Sequence, residues 1–440
     1  MKNQFDALII GGGVVGCAIA RELSRYKLRT LLVEKLSDVA MGASGRNSGV
    51  IHAGFYVKPG SLKAKLNVKG QRMMPGICQK LDVPYQRVGK LVVAKDKSEV
   101  ERLYKLKETG ERNGVRNLKI IDREEMRRVE PNVVGVEAMH SPDSAIVDPF
   151  ILTIAFAENA IKNGVRILID TEVLDIKENN GFVVKTNNGE FKSDLIINSA
   201  GLFSDKIAGM LGVNEHKIYP CRGEYHILDK NYRYLINGML YPLPPEAVGG
   251  LGVHLTPTTD DNIFLGPSAE YIEDVNDTAT TSPVMETLYQ EARELIPKVS
   301  MNYFIRSFAG IRPKLVNKNS REPGDFVIEE PVSNFINLQG IESPGLTAAP
   351  AIAEFVVELI GGGRELAENL KFNPERKAPV RFNKLSDQEK SELIKKNPNY
   401  GQIVCRCETV TKQEIIDALK NPLGARSIYG IRKRAKATCG

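Results

Sequence analysis

At 440 residues the chain is too long for one ordinary core and long enough for two or three domains. A hydrophobic content of 42% with 26% charged residues excludes general disorder, and no stretch approaches the roughly eighteen uninterrupted apolar residues of a membrane span. The net charge of +6 belongs to the tail: from Lys371 onward 16 Lys and Arg face 7 Asp and Glu, leaving −3 on residues 1–370, and without interleaved aromatic residues this end does not read as a nucleic-acid surface.

The opening "MKNQFDALIIGGG" runs from apolar residues straight into glycines with no cleavage region behind them, so export is not expected. "DALIIGGGVVGCAIARELSRYKLRTLLVEK" reads as strand, tight turn, helix and second strand. "ALII" suits a buried parallel strand, and Val15, Ala18, Ile19 and Leu23 then recur with helical spacing. Residues 85–145 change texture, with "KLVVA" a strand, "SEVERLYKLKETGERNG" a charged helix and "REEMRRVEPNV" a short helix stopped before Pro131. The first texture returns over 146–216 with an amphipathic helix at "PFILTIAFAENAIKNGV", paired strands at "RILIDTEVLDIKE" and "GFVVKTNNGEF", and a buried strand "DLIINSAG". Residues 217–332 are strand-rich around a helix at "VMETLYQEARELIP", and "FINLQGIESPGLTAAPAIAEFVVELIGGG" goes back to the first domain. The expected organisation is a discontinuous nucleotide-binding domain (1–84, 146–216 and 333–365), a substrate domain (85–145 and 217–332), a Lys-, Pro- and Asn-rich linker (366–400) and a small helical C-terminal domain (401–440).

Gly11, Gly13 and Gly16 form G-x-G-x-x-G at the strand-to-helix turn. The first glycine permits the turn, the second lets a pyrophosphate approach the helix N-terminus, and the third allows close packing of helix on strand. Alone the pattern is weak. Here it follows a strand, opens a helix and precedes Glu34, which ends the second strand with Lys35 beside it, where a carboxylate can take ribose hydroxyls.

"GASGRNSGVIHAGFYVKPGSLKAKLNVKG" at 42–70 resembles the second signature of the D-amino-acid-oxidase-type FAD oxidoreductases, within them the L-2-hydroxyglutarate oxidase and glycerol-3-phosphate dehydrogenase branch. "CRGEYHIL", "GVHLTPT", "SFAGIRPKL" and "GIESPGLTAAPAIAE" extend the likeness in the same order over the first 370 or so residues. The resemblance implies an α/β and α+β chain: a glutathione-reductase-like Rossmann domain holding FAD, with an inserted antiparallel-sheet substrate domain over the flavin. Residue by residue it implies Ser44, Arg46, Asn47, Ser48 and Gly49 along the pyrophosphate and flavin edge and Val173 against the adenine. Ala200 and Gly201 would lie under the dinucleotide, and Gly345, Leu346 and Thr347 would turn backbone amides toward the pyrimidine, where reduced flavin gathers negative charge. Gly310 and Gly340 complete the cofactor set.

Oxidation of a CH–OH group sends a hydride to flavin N5 and a proton to a base, and histidine is the natural base near neutral pH. His52 and His254 lie inside the shared motifs, each open to catalysis, flavin contact or core hydrogen bonding, and for His52 also to covalent flavin attachment; His140, His216 and His226 read as ordinary residues. Small hydroxy acids and polyol phosphates are anions, so a guanidinium is expected in the pocket: Arg312 first, then Arg222 and Lys314. Tyr56 and Tyr225 are candidate hydroxyl donors, with packing of the sheet the alternative for Tyr225. L-2-hydroxyglutarate is the first expected substrate, with glycerol 3-phosphate as the alternative. An electron-transfer or assembly subunit whose flavin meets no substrate is a further alternative.

Cys405, Cys407 and Cys439 match C-x-C-x31-C, similar to the first three ligands of the bacterioferritin-associated-ferredoxin-like two-iron two-sulfur domain, with "TVTKQEIIDALK" as a capped helix between them. Four thiolates hold such a cluster, and the resemblance places the fourth beyond Gly440; another ligand, a lost cluster and zinc are the alternatives. Cys17, Cys78 and Cys221 read as buried, unreactive thiols, and the cysteine scatter fits a reducing compartment, the cytoplasm. A redox partner protein is expected for the cluster; peripheral membrane contact through the basic tail and the oligomeric state stay open.

Overall fold

A computed structural model describes residues 3–244, 252–316, 324–363 and 365–438 of the chain. Its first sheet has a parallel centre in which Phe335–Gln339, Gly189–Asn198, Gln4–Ile10, Thr30–Val33 and Arg166–Leu168 lie side by side. Strict alternation sends successive side chains to opposite faces. Ala7, Ile9, Leu32, Leu195 and Ile197 enter one core beneath the helices Val14–Leu23, Pro149–Lys162 and Gly345–Gly361, while Leu8, Ile10, Leu31, Val33 and Ile196 enter a second core with Ile207 and Ala208. Both faces are covered, which is why these strands read as unbroken apolar runs. Val173–Glu178 and Phe182–Thr186 extend this sheet as an antiparallel hairpin.

Among the described residues the second sheet has nine strands and is antiparallel apart from the pairing of Met239–Pro242 with Lys90–Ala94. Its longest ladder joins Ile218–Leu228 to Phe304–Leu315, with Cys221 opposite Arg312, Gly223 opposite Gly310 and Tyr225 opposite Phe308. The helix Ser282–Leu295 packs its apolar stripe (Leu288, Ala292, Leu295) against this sheet. Val327–Val332, which falls within the stretch 217–332 expected in the substrate half, pairs instead with Phe335–Gln339 in the first sheet, because the two strands form a tight hairpin.

The stretch 366–400, expected as a linker, is tied to the body. Asn159 Nδ2 donates to the carbonyls of Asn373 and Glu375, each at 3.1 Å, Ala378 N donates to Asp82 Oδ2 at 2.9 Å, and Arg376 pairs with Glu158 at a site almost closed to solvent. It also contains the helix Asp387–Lys396, opened by a reciprocal capping box of Ser386 and Glu389.

Of the C-terminal helices, Ile428–Ala435 docks on the nucleotide-side core through Tyr429, while Lys412–Lys420 packs Ile415 and Ala418 into a small core of the tail itself. Arg434 forms a two-pronged pair with Asp38, both side chains buried, and Lys436 bridges Asp148 (2.5 Å) and Asp260 (2.7 Å), one from each half of the molecule. Asp148 also caps the helix Pro149–Lys162 by accepting from the amides of Phe150 and Ile151. These tail cations are held in internal ion pairs rather than presented to solvent.

Candidate active site

A cleft of about 1090 Å³ runs from the glycine turn to the second sheet. At its nucleotide end Gly11 has φ +106°, and a Cβ there would lie 2.7 Å from the Ser199 carbonyl oxygen. A Cβ on Gly16 would fall 2.0 Å from the Gly11 carbonyl oxygen, so this glycine is what lets the helix seat on the strand. Gly13 caps the helix Val14–Leu23 without a side-chain bond, leaving its N-terminal amides toward the cleft, where Val14 N meets Ser44 Oγ at 2.9 Å. Glu34 accepts from Gly12 N (2.6 Å) and Leu36 N (2.9 Å); burial raises its pKa against the opposing pull of those amides. Lys35 Nζ lies 3.2 Å from the centre of the Phe203 ring.

Asn47 shapes the next loop. Its Nδ2 donates to the carbonyls of Ala43 (3.0 Å) and Ser44 (2.9 Å), and its Oδ1 accepts from Gly49 N at 2.9 Å. Arg46 Nη1 donates to Ala309 O at 3.2 Å, and a Cβ on Gly310 would come within 2.1 Å of Arg46 O, so the strand Phe304–Leu315 is pressed onto the cofactor-side loop. Ser48, Val173, Ala200, Gly201, Gly345 and Leu346 line the cleft. Gly16, Gly49, Gly340 and Thr347 do not line it and act from behind: Gly340 packs on Leu315, and Thr347 Oγ1 accepts from His52 N (2.9 Å) and donates to Val50 O (3.3 Å). An open helix N-terminus, a turn that excludes side chains and a half-buried carboxylate facing it suit a dinucleotide, so the lining residues present fit FAD.

At the far end both candidate histidines are buried against one lysine. His52 Nδ1 lies 3.4 Å from Lys90 Nζ and His52 Nε2 lies 3.4 Å from Ser343 Oγ, with Tyr56 edge-on to the imidazole. His254 stacks on Tyr241 at 3.9 Å and its Nδ1 donates to Gly252 O at 3.0 Å. Burial first, then Lys90 and His254, hold His52 well below the usual histidine range; burial, partly offset by the Gly252 carbonyl, takes His254 to about 3. Both rings are therefore neutral near pH 7.

Arg312 enters the cleft across Gly223, donating from Nη2 to Ser268 O (2.6 Å) and Arg222 O (3.3 Å) and from Nε to Cys221 O (3.5 Å). Among the described residues no carboxylate pairs with it, so it offers its charge to an anion. Arg222 is a correction to the sequence reading: it is absent from the cleft wall and is bound by Asp277 (2.6 Å), Glu270 (2.6 Å) and Glu224 (3.4 Å), because the acidic residues of the neighbouring strand and loop neutralise it. Lys314 lines the cleft and pairs with Glu342 at 3.5 Å, which Lys63 also contacts at 3.1 Å. Tyr225 lines the cleft with its ring stacked on Phe308 at 4.7 Å.

Sequence reasoning missed Lys90, Lys63, Glu342 and Ser343. Lys90 carried a signal, a lysine heading the otherwise apolar "KLVVA", whose residues are all buried. Gly223 carried another, since only a small residue leaves the Arg312 guanidinium its path (a Cβ there would be 3.1 Å from Nη2).

In the C-terminal domain Cys405 and Cys407 have sulfurs 3.2 Å apart, and Thr438 N donates to Cys405 Sγ at 3.3 Å. Cys439 lies outside the described residues. Among the described residues no group of three or more His, Cys, Asp or Glu could hold a metal. Against burial, the Thr438 amide, the Cys407 thiol and the Glu408 amide keep the Cys405 thiol below its ordinary value.

A family model described as "FAD dependent oxidoreductase" matches residues 6–359. Glycerol 3-phosphate dehydrogenase of Caloramator mitchellensis is 41% identical over 99% of this chain and 91% of its own. The mitochondrial L-2-hydroxyglutarate dehydrogenase of Caenorhabditis elegans is 32% identical over 80% of this chain and 92% of its own. The solved structure of dithionite-reduced L-alpha-glycerophosphate oxidase from Mycoplasma pneumoniae with FAD bound, 33% identical, superposes with a TM-score of 0.80 over 86% of this chain and 99% of that one.

Proposed function

The chain belongs to the FAD dependent oxidoreductase family, and from that premise we propose that it oxidises the secondary alcohol of a small dianion, glycerol 3-phosphate first. The observation that carries this reading is a neutral imidazole and an arginine that, among the described residues, has no carboxylate partner, both lining the same cleft as the glycine turn. Bound along that turn, FAD would supply a two-electron acceptor for the hydride. The residues of the chain do the rest. Arg312 binds the anionic end and fixes its orientation, with Lys63 and Lys314 both paired to Glu342 in the same cleft. His52 accepts the hydroxyl proton at Nε2, beside Ser343. His254, whose Nδ1 is committed to the Gly252 carbonyl and whose ring is stacked on Tyr241, is assigned to shaping the pocket.

L-2-hydroxyglutarate is the second reading, supported by the relatives that share 31–33% of their residues over about 80% of the chain. Glycerol 3-phosphate precedes it because the relative of that name aligns over nearly all of the chain. The charge of the pocket suits either dianion. The test is anaerobic addition of each compound to the yellow protein: bleaching by one and not the other selects the substrate, and bleaching by neither rejects both.

The tail extends the proposal. Two thiolates on one metal at about 2.3 Å each lie no more than about 4.6 Å apart, and Cys405 and Cys407 meet that limit. With Cys439 and a fourth ligand they would hold a two-iron two-sulfur cluster passing electrons to a partner protein in the cytoplasm. Iron content and visible absorption of anaerobically purified protein, compared with Cys405→Ser, test it; iron-free protein would reject the cluster.

A further inference from the structure

Lys90 is 1% exposed, and among the described residues it has no carboxylate within ion-pair reach. Its Nζ sits 3.4 Å from His52 Nδ1, 3.9 Å from the centre of the Tyr241 ring and 5.5 Å from that of Phe55. Burying an ammonium without a counter-ion is expensive, and a structure-only role would be filled better by methionine. The titratable groups facing it are His52 from the loop after Val50–Ile51, Tyr241 from Met239–Pro242 and His254 from His254–Pro257; Tyr56 lies beyond His52, and Glu342 beyond Tyr56.

The two forms of Lys90 impose opposite tautomers on His52. An ammonium has three donors and no acceptor, so Nδ1 must accept from it, the ring proton sits on Nε2, and Nε2 donates to Ser343 and cannot take a proton. A neutral amine can accept from Nδ1–H, which leaves the Nε2 lone pair toward the cleft. We infer that Lys90 is a positioning residue that, as the free amine, sets His52 in the base-competent tautomer and receives its Nδ1 proton. This rests on the assignment of His52 as the base above.

The step balances as follows. The substrate O–H breaks and its proton goes to Nε2; the Nδ1 proton passes to Lys90, so the imidazole ends neutral and the amine becomes ammonium. FAD, when bound, would supply the two-electron acceptor for the C–H hydride, so that the alcohol would become a ketone with two electrons lost and two gained. Burial lowers the Lys90 amine from 10.5 to about 7 while His52 lies well below 6.5, so of the pair it is the lysine that keeps the proton.

The reduction rate of the wild-type holoenzyme by glycerol 3-phosphate, followed anaerobically, is expected to drop tenfold per pH unit below about 7. Lys90→Met should lose that limb and slow reduction by about 10²-fold or more at pH 8, the usual scale of general base catalysis. Lys90→Arg, permanently charged, should be slow at every pH. Nitrogen-15 spectra of histidine-labelled holoprotein, with the His52 signal identified by its loss in His52→Gln, should show the ring proton moving from Nε2 to Nδ1 as pH rises through about 7. Lys90→Met should lack that switch. Wild type without the tautomer switch, or Lys90→Met retaining the rate limb, overturns the inference. If neither dianion reduces the wild type, the substrate reading fails while the tautomer experiment still decides the role of Lys90.

Discussion

Arg434→Met tests how the tail is held. Arg434 and Asp38 are 3% and 1% exposed at their side chains, with Arg434 Nη2 donating to Asp38 Oδ1 at 2.8 Å and Nη1 to Oδ2. Removing the cation strands a buried carboxylate, which costs about 3–5 kcal/mol. Asp38 adjoins the cofactor loop, where Ala40 N donates to Gly12 O at 3.0 Å, so the stranded charge is relieved most easily by undocking the tail. At 1.4 kcal/mol per tenfold, the undocked population should rise about 10²- to 4 × 10³-fold. Limited trypsin digestion of the holoprotein, under conditions where cleavage reports the open population, should show that acceleration at sites beyond Lys371 and not elsewhere. The pair Asp38→Asn with Arg434→Met should recover most of the loss, because no unpaired charge is left. A change below about fivefold in the single variant would refute the reasoning that this pair fastens the tail.

Gly310→Ala should loosen the two halves, since its Cβ would meet Arg46 O at 2.1 Å; overpacking of this kind costs about 1–3 kcal/mol, read as faster FAD release and lower thermal stability. Thr347→Val removes the oxygen that accepts from His52 N, leaving a buried amide unpaired at about 1–3 kcal/mol, and should lower the reduction rate more than the affinity for the anion. Lys90→Met should stabilise the fold near pH 7 even as it slows the reaction. The folded amine titrates near 7 and the unfolded one near 10.5, so between these values the unfolded state binds the extra proton and wild-type stability rises with pH. The difference, about 4 kcal/mol at pH 7 and vanishing above 10.5, is read from urea midpoints of the two proteins across that range. His254, folded near 3, contributes stability present above 6.5 and lost as pH falls toward 3, so His254→Gln should flatten acid destabilisation over that interval.

The nucleotide half was legible because its signals are local. Strand, glycine turn and helix lie within one stretch, and the period-2 apolar run that sends Ala7 and Ile9 one way and Leu8 and Ile10 the other needs no tertiary knowledge. The family and FAD were legible through motifs of the same kind. The substrate end was harder, because it is assembled by pairing distant strands. Arg222 and Arg312 sit in adjacent strands and look alike in sequence; only the positions of Glu224, Glu270 and Asp277 decide which one is neutralised. Lys90 was passed over since one lysine in an apolar strand looks like an edge residue until His52, 38 residues earlier, is seen against it. The stretch 366–400 has a loop composition, and its attachment to Asn159 and Glu158 depends on partners more than 200 residues away.

Arg434 and Lys436 meet their carboxylates across sequence separations of 396 and 288 residues. A chain emerging from its N-terminus therefore forms the nucleotide-side core with Asp38 and Asp148 still lacking these cations. Closures of such span are slow to find. Those two acids thus act as a completion check, with full stability delayed until the distal helices arrive, and a nonsense change after residue 400 would be felt around the glycine turn rather than only at the tail.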